Sequence, residues 1–444
     1  MRPRTLIWLA ALPCAVLAIA VAVAGARPVE ADKSEHKRAK KQERYLYVTT
    51  IAQSATDPDF IAVIGADPRR ADFGKIVNRV DMPNVGDELH HFGYSRDQER
   101  LVVPGLFSNR IHVFDIGRDR RTLALRAVDD QLAAESGYVV PHGVMDMDGK
   151  FLVPMIGAAN GTTLPGGIVE ISDRTGAFKR HFGPGPVRKP GELGPTYMYD
   201  FAALPKANRG ISSTFGPPAT CGAGIEPGCL GDEVAVWDVR RQKVIQTADL
   251  GASSGALMVR FVQEHGVRRA FINAPGTSAV WLADDDDRDG VFDFQQVLGP
   301  EDGLAIPADL ILSYDNRFMY VTNWFADTVQ QYAIADPFNP VLTATVSVPH
   351  PNMLRLSRDN RRLYVSNSLL TPWDDDPDFG PARNDEYGIW LFDVAKRSGA
   401  LTPTTTGGQP WVSFTDVQKK TTRGPAGPHM MLFDPSIPLD PGEH

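Results

Sequence analysis

The sequence predicts an all-β chain folded as a seven-bladed β-propeller, with blade one closed by the N- and C-terminal strands together. Three observations carry that expectation. A unit of two strands around a polar turn recurs along the chain, a third alternating strand follows each copy, and the two ends of the chain each hold one unpaired piece of the same unit. Internal repeats of this kind decide architecture before any single motif does.

The clearest copies run from Leu354 to Asn367 and from Leu310 to Asn323. Each is an apolar strand, a polar turn and a strand ending in a small polar residue. Looser copies begin near His90, His142, Asp200 and Met258. Third strands are expected at Ile111–Ile116, Gly167–Ile171, Glu233–Val239, Ser278–Leu282, Val329–Ile334 and Gly388–Val394. Fourth strands are visible at Val244–Ala248 and Leu342–Val348. Apolar residues alternate with period two and the turns carry Asp, Asn and Gly, the pattern of antiparallel strands. Four strands per unit at this spacing give propeller blades. Six units are complete. Tyr45–Thr50 resembles a second strand with no first, and His429–Asp434 a first strand with no second, so joining them closes a seventh blade. A solenoid would leave its two ends to be capped separately, whereas these ends complete each other.

Ahead of the propeller, Met1–Arg4 is basic, Leu6–Ala24 is almost wholly apolar, and Ala24, Ala26 and Ala31 offer cleavage sites. The expected organisation is a signal peptide over residues 1–26, a polar linker over 27–44 and the propeller over 45–444, in a periplasmic or secreted protein. The alternative is that the apolar run stays uncleaved as a single membrane anchor. A net charge of −8 gives no reason to expect a nucleic-acid partner. No feature of the sequence fixes the oligomeric state. Cys221 and Cys229 share the Gly- and Pro-rich loop Pro217–Gly231. In an oxidising compartment they are expected to form a disulfide, a metal-binding thiol pair being the alternative.

Aligning the units on their first strands places histidines at one repeat position. His90, His142 and His429 stand where Asn352 begins its own unit, and His91 is one residue further along. The first strand of a blade lines the central channel, so equivalent positions of neighbouring blades converge on the axis. Three or four imidazoles facing one cavity make a transition-metal site, and imidazole suits Zn, Cu, Fe and Ni alike. For a single histidine, a hydrogen-bonded channel residue is the simpler explanation; the shared register favours a site. Asp87 and Glu88 precede the pair. Glu88 is a candidate catalytic group, orienting imidazoles or moving protons, and turn capping is the alternative, favoured for Asp87. His112, His181, His265 and His350 lack the register and read as surface or packing residues.

The segment Met82-Pro-Asn-Val-Gly-Asp-Glu-Leu-His-His91 resembles the MPN-x-x-DELHH segment of the selenium-binding protein and methanethiol oxidase family. Arg110–Gly117, Tyr199–Phe201, Val236–Asp238, Asp309–Ser313, Thr322–Trp324, Gln331–Tyr332, Leu363–Val365, Pro372–Asp374 and Gly424 to His429 follow in the family's order. The likeness runs from about Tyr45 to about Asp434. It implies a copper enzyme that converts methanethiol, O2 and water to formaldehyde, hydrogen sulfide and hydrogen peroxide. By motif match, it carries the metal-site histidines over to His90, His91, His142 and His429. Gly74 falls where animal members carry a cysteine linked to selenium, so selenium binding through that position is not expected.

A second metal signal lies in residues 285–293, spelling DxDxDGxxD. Asp285, Asp287, Asp289 and Asp293, with the Val291 carbonyl, are the expected ligands of a structural calcium ion; a solvated acidic turn is the alternative. Gln296 stands where an EF-hand needs Glu, which excludes that motif.

Three functions compete at this point. The first is a copper oxidase of a small thiol. The second is a non-catalytic propeller binding metal or a partner. The third is a lactonase-type hydrolase, against which the histidines argue because such sites favour Asn, Asp and Glu around calcium.

Overall fold

The computed structural model describes residues 43–436 apart from 148, 159–164, 218–220, 222–228, 375–385, 416 and 418–424. The expected signal peptide and all but the last two residues of the expected linker lie outside the described residues. Among the described residues no helix is long and apolar enough to cross a membrane.

Seven antiparallel sheets make the ring. Blade one pairs Ala426–Phe433, Tyr45–Ala52, Phe60–Gly65 and Ile76–Asp81 from the channel outward. The C-terminal strand is thus innermost and the N-terminal strand second, as the two unpaired fragments require. Blade two begins at Gly93–Tyr94, blade three at Tyr138–Pro141 and Met145–Met147, and blade four at Met198–Leu204. Blades five, six and seven begin at Val259–Phe261, Pro307–Leu312 and Leu354–Leu356. The expected third strands at Ile111–Ile116 and Gly388–Val394 are observed with those bounds. The third strand of blade five is Ala279–Asp284, two residues longer at its end than the alternation indicates, because Ala283 and Asp284 pair with Phe294 and Asp293. Second and third strands are almost wholly buried, while fourth strands such as Val341–Ser347 are mostly exposed. Apolar clusters fill the spaces between blades, so each blade is stabilised mainly by its neighbours.

Closure of the ring rests on more than strand pairing. Tyr45 and Arg44 donate their backbone N–H groups to Asp434 Oδ2, at 2.6 and 2.8 Å, and Asp434 is 1% exposed. Glu43 is also buried, and its Oε1 accepts from Arg358 N at 2.7 Å. These two residues of the expected linker therefore belong to the propeller. Their polarity suggested a solvated linker, but the Arg44 N–H and the Glu43 carboxylate find partners inside the fold. Asp434→Ala would strand two buried N–H groups and is expected to lower unfolding stability by about 2–4 kcal/mol. Asp434→Asn keeps an acceptor and should recover most of it. Urea midpoints of the two variants check this; equal midpoints for Asp434→Ala and the parent would show that the strands close without the carboxylate.

A recurring backbone kink shapes the channel mouth. Ser95, Ser313 and Ser357 occupy equivalent turns, each donating its N–H across the first hairpin. Counting back from them makes His90, Ala308 and Asn352 equivalent. Two residues before these positions stand Glu88, Ile306 and His350, all left-handed, with φ of 53°, 51° and 42°. Val140, two residues before His142, has φ 62°, and Gly255, two before Leu257, has φ 57°. Left-handed backbone is strained for β-branched Val140 and Ile306. The kink interrupts the strand just before the axis. His90 and His91 consequently precede the first strand of blade two rather than sitting in it, and His142 lies between the two pieces of the first strand of blade three.

Candidate metal centre

The four histidines meet on the axis. His90 stacks on His429 with ring centroids 3.8 Å apart, and His91 lies 4.2 Å from His142. His90 is 4.9 Å from His142 and 5.2 Å from His91. Strict strand alternation would have sent His90 and His91 to opposite sides; the kinked, non-strand backbone lets both face inward. His90, His91 and His429 each bring a ring nitrogen within 4.8 Å of the others. His142 joins through its ring contacts with His90 and His91 and stands outside that tightest set.

Backbone hooks between blades hold these rings. Thr49 Oγ1 of blade one donates to His90 O at 2.9 Å, Phe92 N donates to Met430 Sδ at 3.1 Å, and Ser366 Oγ of blade seven donates to His429 O at 2.6 Å. His429 Nδ1 lies 2.7 Å from Ser368 O, a carbonyl that can only accept, so Nδ1 carries the proton and Nε2 is bare. Asn352 donates its amide to the same carbonyl at 2.5 Å. His142 is held by a hydrogen bond to the Tyr199 backbone.

The remaining nitrogens are the informative ones. His90 Nδ1, His91 Nε2, His142 Nε2 and His429 Nε2 are buried and have no hydrogen-bond partner among the described residues. An unpartnered buried acceptor is costly, and four in one cluster of packed rings need a common explanation. Burial pushes His90, His91 and His142 well below the ordinary imidazole range, with neighbouring imidazoles adding to the shift, and pushes His429 down to about 4. All four are neutral at pH 7, the state that ligates a metal. Nitrogen donors alone, two of them oriented by backbone partners, fit a borderline transition-metal ion such as copper or zinc and not a hard cation.

Glu88 faces away from this focus. Its Oε1 accepts from Thr371 N at 2.8 Å and its Oε2 lies 2.6 Å from Thr371 Oγ1. Burial raises its carboxyl to about 8. Asp87 pairs with Arg110 at 3.0 Å and sits 3.5 Å from His112 Nε2. His112 and His350 are packing residues, the latter stacked on Trp324 at 4.9 Å.

Beside the imidazoles opens a cavity of about 320 Å³. His90, His142 and Tyr199 line one end, and its other walls are apolar. The sequence placed Tyr199 only in the family's order and not among the site residues, although it occupies the histidine register in blade four. Asp200 N and Asp309 N donate to Ser213 Oγ and Thr322 Oγ1 at 2.9 and 2.8 Å, which makes Tyr199 the counterpart of Ala308. Its ring lies 3.5 Å from that of His142. Anchoring on the Asp pair instead of on histidine alone would have found it.

In the acidic loop of blade five, Asp285, Asp287 and Asp289 bring carboxylate oxygens within 4.8 Å of one another. Asp293 is not in that group. Asp293 starts the fourth strand opposite Asp284, and the Val291 residue is 52% exposed. The loop is closed by its own hydrogen bonds: Asp285 accepts from Gly290 N and from Arg268, both at 2.9 Å. Cys221 and Cys229 form a disulfide with Cα atoms 5.7 Å apart. Gly74 has φ +73°, and a Cβ there would stand 2.9 Å from the Trp411 indole nitrogen, so any side chain would have to displace that ring.

Comparison with known proteins agrees with the fold. A family model described as 56kDa selenium binding protein matches residues 28–434. A methanethiol oxidase of Xenopus tropicalis is 28% identical over 425 residues, covering 81% of this chain and 88% of its own. One of Danio rerio is 29% identical over 413 residues, covering 81% and 87%. A selenium-binding protein of Arabidopsis thaliana is 26% identical over 398 residues, covering 75% and 80%. The X-ray structure of a hypothetical selenium-binding protein from Sulfolobus tokodaii superposes with TM-score 0.77 at 24% identity, covering 90% of this chain and 95% of that one. A periplasmic gluconolactonase of Pseudomonas aeruginosa has TM-score 0.58 at 13% identity, covering 88% and 98%, a likeness of fold alone.

Proposed function

Since the chain belongs to the family of 56 kDa selenium-binding proteins, we propose that its four axial imidazoles hold copper and that the protein oxidises a small thiol with O2. The observation that carries this reading is the set of four neutral, buried imidazoles with unpartnered nitrogens, three sharing one focus and His142 packed beside them, next to an apolar cavity. The names of the vertebrate relatives support methanethiol as the thiol. The overall change joins methanethiol, O2 and water to give formaldehyde, hydrogen sulfide and hydrogen peroxide; the methyl carbon loses two electrons and O2 gains them.

Bound copper would lower the thiol's pKa and accept its soft sulfur. The protein's own groups do the rest. The apolar walls take the methyl group and limit bulk water. Tyr199 lines the cavity with its ring against His142, and burial raises its phenol, so it holds its proton throughout the neutral range. Glu88, at about 8, is mostly protonated at pH 7 and can give a proton more readily than take one. It also ties the histidine segment to the turn Thr371–Asp374, which carries Trp373 into the cavity wall. The disulfide supports an oxidising compartment, in keeping with export directed by residues 1–26.

The test is turnover. Purified protein loaded with about one copper per chain is supplied with methanethiol and O2, and formaldehyde, sulfide and peroxide are measured together. Equal amounts of the three products are expected. Tight copper binding without any product would sink the oxidase reading and leave a metal-binding propeller.

A further inference from the structure

We propose that this site also takes larger thiols, those carrying an apolar and preferably aromatic group on a methylene–thiol unit; the inference rests on the thiol-oxidase reading and deepens it. Methanethiol has only two heavy atoms. The cavity of about 320 Å³ lies instead at the lower edge of pockets that hold whole small molecules, about 300–1,000 Å³. A water molecule occupies only about 30 Å³ of liquid, so a methyl group would leave most of the apolar wall uncovered.

The distribution of polarity sets the orientation. His90, His142 and Tyr199 are gathered at one end, while Leu257, Ile306, Leu370 and Trp373 are among the apolar walls. A ligand with a sulfur head and an apolar tail matches that division. Aromatic rings continue from the polar end along the wall: Tyr199 to Phe215 at 5.8 Å, then Phe215 to Trp373 at 6.2 Å, both pairs tilted by about 30° (33° and 32°). Such a row offers edges and faces to a phenyl group. Val140 and Ile306, from blades three and six, line the same space in left-handed backbone that β-branched residues rarely adopt. Strain of this kind persists where it shapes a working site.

The chemistry balances for any thiol whose sulfur sits on a methylene carbon. With O2 and water, one such thiol gives one aldehyde, one hydrogen sulfide and one hydrogen peroxide. The carbon–sulfur bond breaks, the aldehyde oxygen comes from water, the carbon loses two electrons and O2 gains two. Phenylmethanethiol would give benzaldehyde. Thiophenol has no methylene between ring and sulfur, so it can occupy the cavity but cannot be turned over.

The experiment has a metal-free and a metal-loaded arm. In the first, toluene is titrated into metal-free protein while tryptophan fluorescence and thermal midpoint are followed; quenching and a raised midpoint are expected. In the second, copper-loaded protein is given phenylmethanethiol and methanethiol separately. A KM for phenylmethanethiol at least about tenfold lower is expected, since each buried methylene is worth about fourfold in affinity. Thiophenol should inhibit without giving product. Leu257→Trp, which fills the cavity, should lower kcat/KM for phenylmethanethiol relative to methanethiol by about twentyfold or more. Methanethiol turnover with no toluene binding and no benzaldehyde would overturn the wider substrate class while leaving the oxidase reading intact. Toluene binding with no turnover of either thiol would sink both.

Discussion

His429→Ala protein, given copper after purification, is expected to retain less than about a tenth of the metal held by the parent chain and to oxidise methanethiol about a thousandfold more slowly. His429 is the most constrained of the four rings. It stacks on His90 at 3.8 Å, lies 5.4 Å from His91, and is fixed through Nδ1 by the Ser368 carbonyl with Nε2 bare. It is also blade one's contribution to the cluster, so its loss opens one whole side of the focus. The fold should survive, because a buried ring and one hydrogen bond cost about 2–4 kcal/mol in a chain with seven packed sheets. His142→Ala makes the contrast. His90, His91 and His429 still lie within 4.8 Å of one another, so this variant should bind copper more weakly rather than lose it. Elemental analysis after dialysis, with circular dichroism to confirm folding, reads both. Undiminished copper in folded His429→Ala protein would move the metal away from the axis.

Copper affinity is also expected to hold level, within about tenfold, from about pH 7.5 down to about pH 5. Metal binding competes with protons on each ligand. Four imidazoles at the ordinary value near 6.5 would weaken the site roughly a millionfold by pH 5. Here burial has already removed the competing proton: His90, His91 and His142 are well below the usual range and His429 is at about 4. A depressed pKa also has a cost in stability whose sign follows directly. Below about 6.5 the unfolded chain binds protons that the folded cluster refuses, so this contribution to stability is full above pH 6.5 and is lost as pH falls toward 4. Competition titrations with a chromogenic chelator at several pH values measure the first effect. A millionfold decline by pH 5 would mean that the rings are solvated and the cluster is open.

The propeller was legible because a blade is a local object. Alternation, turn residues and strand length repeat seven times, and the fragments at Tyr45 and His429 could be matched without knowing any contact. The histidines were legible for the same reason: equivalent positions in a ring converge, so register substitutes for distance. What the register could not convey was backbone detail. Whether His90 and His91 could both face inward depends on a left-handed residue two positions earlier, and nothing in Glu88 or Val140 announces φ of 53° or 62°. Long-range pairings were equally hidden. Glu88 and Thr371 lie 283 residues apart and meet at 2.6 Å, so nothing in the sequence signalled that this carboxyl also ties the histidine segment to the Thr371 turn. Glu43 and Arg44 looked solvated for the converse reason, since their partners Arg358 and Asp434 come from the far end of the chain. In the acidic loop, spacing alone brought Asp285, Asp287 and Asp289 together, while Asp293 also pairs in the sheet with Asp284.

The innermost strand of blade one, Ala426–Phe433, is among the last of the described segments to leave the ribosome, and it delivers His429. Until that strand is in place, the other six blades can gather His90, His91 and His142, but the ring stays open and the fourth imidazole is missing. Assembly of the four-imidazole cluster is thereby tied to closure of the ring. A product cut short before residue 426 would present an unsealed edge and an incomplete histidine cluster at once.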